Sequence, residues 1–507
     1  MCRLLPPYGC GSLHRVVLGR LCLGLLSLGA FDGSRLRADW PQWRGASRDG
    51  YAESSSLIRD LPAAGLPSVW EFADFEGGNS GGWSSPVIAD GKVYAYAHTK
   101  SKKGDAALGQ ALFPWLPPEK RTGMTDAEYE EYEVQRRDEN EARAKAFSFE
   151  QRVVCLDLKS GKTLWDKRTP VVYTRFVQSG TPCVAQGKLF VLGPERTAYC
   201  YDAETGNVIW TQRLPGEFRD EFFASSFVVH ADVAMVACGA LVALDVADGR
   251  LLWQGQTPLD YASHSSPVIW QLGNQPSRAA DVVIANTKGG RTEASRIADG
   301  TLLWDLESGA GQSTPIVTAG LLLTYGSSRK NGLSAYRLDA KTPEVAPELA
   351  WRFRGAADLG STPAVYKDSV FVQGEKRLAK VSLADGDTLW QTTLSISNPR
   401  YTSLVIAGDL LYFGWDGLLC VDAASDRYRV LFDAEIDSEG RLIKSGDLRN
   451  KLKLDEIEGG EAEKVWQKTL SFGPLACSTP AVSDGVMLVR RRDSLVCYRL
   501  SSGDSPR

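Results

Sequence analysis

A tryptophan returns at matching points of a repeated pattern along this chain of 507 residues, at 70, 165, 210, 253, 304, 351, 390 and 466. Five of these residues close the spelling Gly-x-x-x-Trp: Gly161 to Trp165, Gly206 to Trp210, Gly249 to Trp253, Gly300 to Trp304 and Gly386 to Trp390. Self-similarity at a period of roughly 40–50 residues marks units that stack on one another, not independent domains. Length alone would allow several domains, but one closed array of such units uses almost the whole chain.

Each unit reads as four short strands. In the clearest one, 361–390, Ser361-Thr362-Pro363-Ala-Val is followed by Ser369-Val-Phe-Val, Leu378-Ala-Lys-Val-Ser-Leu and Gly386-Asp-Thr-Leu-Trp390. Alternating apolar runs separated by turn residues predict antiparallel strands, and four per unit match a propeller blade. The third and fourth strands are joined by Lys159-Ser160-Gly161, Glu204-Thr205-Gly206, Ala247-Asp248-Gly249 or Ala384-Asp385-Gly386. Glycine there supplies the positive φ of a tight hairpin. The tryptophan then falls on the outermost strand, where a large ring can fill the gap between blades.

A second ladder opens the innermost strands: Ser85-Pro86, Thr181-Pro182, Ser266-Pro267, Thr314-Pro315, Thr362-Pro363 and Thr479-Pro480, with Ser225-Ser226-Phe227 and Thr402-Ser403-Leu404 in the same place. Proline lacks an amide donor and belongs at a strand start or edge. Both ladders count eight, and they are out of phase. Trp70 precedes the first inner strand, whereas the chain ends after Cys497-Tyr498-Arg499-Leu500 with no final tryptophan. A strand around Leu66–Phe72 is therefore expected to complete the last blade. The expected fold is all-β, an eight-bladed β-propeller of four-stranded antiparallel blades over 39–503, with one inserted helix.

Two insertions break the period. In the first, about 100–150, Thr125-Asp-Ala-Glu128 spells a capping box, and Arg143 and Lys145 come late; a helix packed through Tyr129, Tyr132 and Phe147 is expected. The second, about 433–464, contains Glu435-x-Asp437-x-Glu439-Gly440, similar to the opening of a calcium loop. Its twelfth position is Gly446 where the bidentate glutamate belongs, so an acidic hairpin is expected instead.

With 58 basic and 62 acidic residues the net charge is −4, and no basic face points to nucleic acid. Residues 1–38 read as a secretory signal peptide. Arg3, His14 and Arg15 supply the positive start, Val16 to Phe31 the apolar run, and Ser27, Gly29, Ala30 and Ala38 the small residues. The run is too short and interrupted for a membrane span, so the expected location is the periplasm or secreted, with no transmembrane span, as a monomer. Seven cysteines follow the signal, at 155, 183, 200, 238, 420, 477 and 497. Their odd number and lack of CxxC spacing argue for core filling. A histidine-based metal site would have to draw on His98, His230 and His264.

The Gly-x-x-x-Trp endings, the Ser/Thr-Pro-Val openings such as Ser266-Pro-Val-Ile, and Asp245-Val-Ala-Asp-Gly-Arg-Leu-Leu-Trp253 resemble the quinoprotein alcohol dehydrogenase-like, or PQQ-repeat, eight-bladed propellers. Asp39-Trp-Pro-Gln-Trp-Arg-Gly45, followed by Asp49-Gly50, is similar to the start of secreted PQQ-like propellers of planctomycete bacteria. The resemblance runs from about 40 to 503. It implies the fold but not the activity, because the same propeller serves dehydrogenases and non-catalytic scaffolds, among them the propeller lipoprotein of the outer-membrane β-barrel assembly machine. A dehydrogenase of the family implies PQQ held by calcium, an aspartate base and often a disulfide between adjacent cysteines; this chain has no adjacent cysteine pair. The expectation is therefore an exported scaffold without a cofactor, binding an envelope protein or a small ligand, with a PQQ- and calcium-dependent dehydrogenase as the alternative. The loops at one channel mouth carry the candidate ligand-binding residues Arg175, Arg219, Asp220, His264, Gln312, Arg354, Asp358 and Arg400. The arginines are the leading candidates because a guanidinium grips carboxylates and phosphates in a fixed fork.

Overall fold

A computed structural model describes residues 39–105, 107–259, 264–396, 399 and 401–501. The signal peptide read over 1–38 lies outside the described residues. Eight antiparallel sheets follow one another around a ring. Blade one comprises Val87–Ala89, Lys92–Lys102, Phe147–Asp157 and Thr163–Val171. Blades two to seven take 183–213, 228–254, 268–307, 316–353, 364–393 and 405–436, each from four consecutive strands. Blade eight joins Ser68–Phe72 to Leu495–Arg499, with Trp70 opposite Cys497. Strands from the two ends of the chain thus close the ring, as the phase of the ladders requires.

The tryptophans hold neighbouring blades together. Trp70, Trp165, Trp210, Trp253 and Trp351 each lie against the hairpin glycine of the next blade, respectively Gly161, Gly206, Gly249, Gly300 and Gly386. Their indole N–H groups donate to the carbonyls of Leu158, Ala203, Val246, Ile297 and Leu383 at 2.8–3.1 Å. Where the glycine spelling is missing, the hairpin differs. Trp304 donates to Pro343 O at 3.1 Å, and Trp390 instead packs its ring against Tyr428. Burying an indole in this way contributes about 3–5 kcal/mol, the usual cost of truncating a core tryptophan.

Trp466 corrects the ladder. It lies in helix α3 (Gly460–Leu470), packed with Leu448 of α2 (Ser445–Lys451), and not on an outer strand. Phe432 stands in its place: it faces Cys420 across blade seven as Trp165 faces Cys155 and Trp210 faces Cys200. The third-strand cysteines are buried and free, small residues opposite large rings. Blade seven also gains Leu442–Lys444, which forms a hairpin with Val430–Ile436. At its turn the Asp437 carboxylate accepts from the amides of Glu439 and Arg441 and pairs with Arg441 and Lys451. That carboxylate closes a turn and is not arranged around a calcium ion.

The Ser/Thr-Pro ladder makes a belt around the channel. The amide of Ser85 donates to the Thr181 hydroxyl, Thr181 to Ser226, Ser226 to Ser266 and Ser266 to Thr314, all at 3.0 Å. Thr314 continues to Thr362 and Thr362 to Ser403 at 3.1 Å, and Thr479 donates to Ser85 at 2.8 Å across the closure. Between blades seven and eight the Cys477 amide donates to the Thr402 hydroxyl at 3.3 Å instead.

Residues 40–52 occupy the channel itself. Trp40 exchanges hydrogen bonds with Ile88, Pro41 O accepts from Val184, and Asp49 O and Gly50 O accept from Val365 and Ile406. Tyr51–Ala52 then pairs in parallel with Val405–Ala407. Two fully buried guanidiniums anchor this plug. Arg44 donates to the carbonyls of Arg48, Thr362, Pro363 and Leu404. Arg48 donates to Gln42 and to the carbonyls of Pro267, Ser226 and Phe227. Burial lowers their pKa values to about 9 and about 10, which leaves both charged at neutral pH.

Two outcomes test this packing. Gly249 has φ +75°, and an added Cβ would lie 2.5 Å from the Trp210 ring; Gly249→Ala is expected to cost about 2–4 kcal/mol from backbone strain and overpacking, read by urea unfolding. Arg44→Ala is expected to cost about 3 kcal/mol, because carbonyls in a dry channel lose a charged donor. A loss under about 1 kcal/mol would show that water replaces the guanidinium.

Candidate functional site at the channel mouth

Above the plug, the mouth loops enclose a cavity of about 390 Å³. Trp43 forms its floor together with belt residues Ser85, Thr181, Ser226 and Ser266. Its walls are chiefly aromatic, with Trp83, Phe176, Phe222, His264 and Tyr401, joined by Gln312 and Cys477. Phe176 meets Phe222 edge-on at 5.0 Å, Phe222 meets His264 at 6.0 Å, and His264 stacks on Tyr401 at 5.6 Å. The Tyr401 hydroxyl donates to Gln312 Oε1 at 2.8 Å.

The charged residues of the mouth hold this wall in place. Asp220 is buried between Arg175, whose Nε lies 3.1 Å from it, and Arg137 of the inserted helix α1 (Asp126–Ala144). Arg219 pairs with Asp138 and Glu141 of the same helix, both at 2.5 Å. These pairs fix the loop that carries Phe222. The Asp358 carboxylate accepts from the amides of Gly360, Ser361 and Tyr401 at 2.7–3.2 Å. Gly360 is needed beside it, since a Cβ there would lie 2.2 Å from the Tyr401 ring.

Of the eight residues singled out from the sequence, the structure brings His264 and Gln312 to the cavity wall. Arg175, Arg219, Asp220 and Asp358 stand behind it as loop supports. Arg354 is exposed and does not line the cavity. Arg400 lies outside the described residues. Sequence reasoning missed the wall itself: Phe176, Phe222 and Tyr401 are neighbours in sequence of charged residues that were singled out, and aromatic residues in surface loops were the available signal. The capping box of α1 is present, with Thr125 and Glu128 bonded reciprocally. The helix contacts the mouth through its arginine and acidic side chains, while Tyr132 is bonded within the insertion, to Pro114 O.

The three histidines do not converge. His230 pairs with buried Asp281 at 2.7 Å within the ring. His98 is buried in blade one and accepts the Gln178 amide at Nδ1, 2.9 Å away. Gln178 Oε1 in turn accepts the Phe223 amide at 2.9 Å, so His98 supports the Phe222 loop from beneath.

Fold and channel together define a PQQ-repeat propeller. The family model described as outer membrane protein assembly factor BamB matches residues 149–345 and 276–448, and the chain belongs to that family. The assembly factor of Shewanella oneidensis is 25% identical over 250 residues, covering 44% of this chain and 59% of that protein. The tetrathionate hydrolase of Acidithiobacillus ferrooxidans is 24% identical over 290 residues, covering 53% and 55%. The chain thus spans little more than half the length of these two relatives. Among solved structures, a europium-containing methanol dehydrogenase superposes with a TM-score of 0.55 at 12% identity, covering 90% of each chain. The quinohemoprotein alcohol dehydrogenase of Comamonas testosteroni gives 0.52 at 11%, covering 93% of this chain and 82% of that one. These two likenesses show the fold.

The dehydrogenase fold raises PQQ and calcium, and the donor set at the mouth does not fit them. PQQ is a tricarboxylate and calcium takes six or more oxygen ligands, yet none of the described residues lining the cavity is Asp, Glu, Lys or Arg. Asp220 and Asp358 are committed to arginines and backbone amides. Among the described residues no group of three or more His, Cys, Asp or Glu side chains is arranged to hold a metal ion. Burial pushes the Cys477 thiol up to about 12, so it stays protonated. No helix among the described residues is long and apolar enough to cross a membrane.

His98 makes the support of the mouth acid-sensitive. Burial lowers its pKa to about 4, against 6.5 for the ordinary side chain. The neutral ring therefore contributes its full stability above about pH 6.5, and this is lost as pH falls toward 4. The expected loss is about 3 kcal/mol, read as a drop in unfolding free energy between pH 7 and pH 4. A His98→Gln chain should lack that component of the pH dependence.

Proposed function

We propose that this protein is an exported, non-catalytic propeller that binds a protein or a small ligand in the cell envelope through its channel mouth. The observation that carries the reading is the division of labour there. Arg175, Arg219, Asp220 and Asp358 are engaged in holding loops, and among the described residues the cavity they frame is lined by uncharged, largely aromatic groups. Proton abstraction needs a carboxylate or imidazole positioned on the reacting atom; Asp220 and Asp358 are turned into the loop framework, and the His264 imidazole is packed in the aromatic arc between Phe222 and Tyr401. The family model's description as an outer-membrane assembly factor supports an envelope setting and a binding role. The alternative, a PQQ-dependent dehydrogenase, rests on the shared fold, which hosts many functions.

Two measurements decide between them. Purified protein given PQQ and calcium is expected to reduce no dye with alcohols or aldose sugars beyond the level of PQQ alone; turnover that requires the protein would overturn the scaffold reading. A photo-crosslinking residue at Phe176, which is 45% exposed at the mouth, is expected to give a discrete adduct in the native envelope. The same residue at Ala319, exposed in an inner hairpin at the opposite end of the ring, should give none. Equal labelling from both ends would remove the mouth as the binding face.

A further inference from the structure

We infer that the mouth cavity is a site for a small, uncharged, planar aromatic molecule bearing a hydroxyl group. This rests on the mouth being the binding face, and it reverses the anionic ligand that the arginines of the mouth suggest in the sequence.

Charge is the first argument. Arg175 and Arg219 are held by Asp220, Asp138 and Glu141, so their forks face carboxylates of the protein. Among the described residues, Arg44 and Arg48 also lie nearby, in the plug to which Trp43 belongs. Every guanidinium nitrogen of both is engaged, Arg44 with backbone carbonyls and Arg48 with carbonyls and the Gln42 side chain. A carboxylate or phosphate entering the cavity would lose its hydration and meet aromatic rings instead of a charged donor, which is unfavourable.

Shape is the second. The rings of Phe176, Phe222, His264 and Tyr401 form a continuous arc in edge-on and stacked contacts. Such an arc offers a flat guest the same offset and edge-on geometries that aromatic pairs favour. Because residues 40–52 plug the channel, the cavity has a floor, and its volume falls in the ~300–1,000 Å³ range of small-molecule sites. Polarity of the floor is the third argument. The Thr181, Ser226 and Ser266 hydroxyls accept belt amides, and a hydroxyl that accepts still carries one O–H donor and a second lone pair. A guest hydroxyl can therefore be recognised at the floor while its ring is held by the walls.

The test uses the mature chain with 2-naphthol and its anionic analogue 2-naphthoate at pH 7.5, followed by calorimetry. Saturable 1:1 binding of 2-naphthol, at least tenfold tighter than 2-naphthoate, is the expected result. Phe222→Leu, which keeps an apolar residue and removes the ring, and Tyr401→Leu should each weaken it about tenfold with the unfolding midpoint retained. Arg354→Ala should leave it unchanged. Equal or tighter binding of naphthoate, or naphthol binding that neither substitution weakens, would overturn the inference. If naphthol does not bind while the Phe176 crosslink persists, the mouth remains the binding face and the aromatic ligand is wrong. Loss of both removes the binding reading as well.

Discussion

At five of the eight junctions a blade is held to the next by an aromatic ring pressed on a residue that has no side chain. The indole of one outer strand covers the hairpin glycine of the following blade and donates its N–H to that hairpin's backbone. One glycine answers two demands, the positive φ of the turn and the absence of a Cβ under the ring. This explains why glycine and tryptophan recur together. They belong to one blade in sequence and to two different contacts in space. At the channel side the hydroxyl belt performs the corresponding task at seven of the eight junctions, a hydroxyl of one inner strand capping an amide of its neighbour. A ring bonded at both its outer and inner circumference has little freedom to open, and its loops can be treated as standing on a rigid base.

That rigidity leaves the channel to be dealt with separately. Strand edges that meet at an axis present carbonyl groups with no partner in their own sheets, and buried carbonyls need donors. The plug supplies them. Arg44 and Arg48, both at positive φ, reach inner strands of blades three, four, six and seven from a single short segment. The same segment places Trp43 beneath the mouth. The structural solution at the axis therefore also shapes the floor of the candidate site.

The mouth shows how ion pairs and function can be confused. Its arginines looked like ligand anchors because an unpaired arginine on a loop is a good one. Asp220 and the acidic side chains of α1 instead hold Arg175 and Arg219 behind the wall. Much of this was outside the reach of pattern reading. Asp220 and Arg137 are 83 residues apart, and the helix that pairs with the mouth is inserted in a different blade from the loop it restrains. Phe176, Phe222 and Tyr401 carry no periodicity, and only their meeting at one rim gives them a meaning.

From sequence alone, the repeat, the number of blades and the place of closure were legible, because the strand and turn motifs are local and recur, and their order along the chain sets the phase of the ring. The eighth outer ring was misplaced at Trp466 because an insertion carries a tryptophan between the last two inner strands, while Phe432 fills the gap with a different ring. Tertiary structure alone decided the plug, the belt's hydrogen bonds and the uncharged lining of the cavity among the described residues. Arg44 finds its carbonyls 318 and 360 residues away. Local propensity cannot encode such a partner. It exists only once the ring has closed and brought both ends of the chain to the same axis.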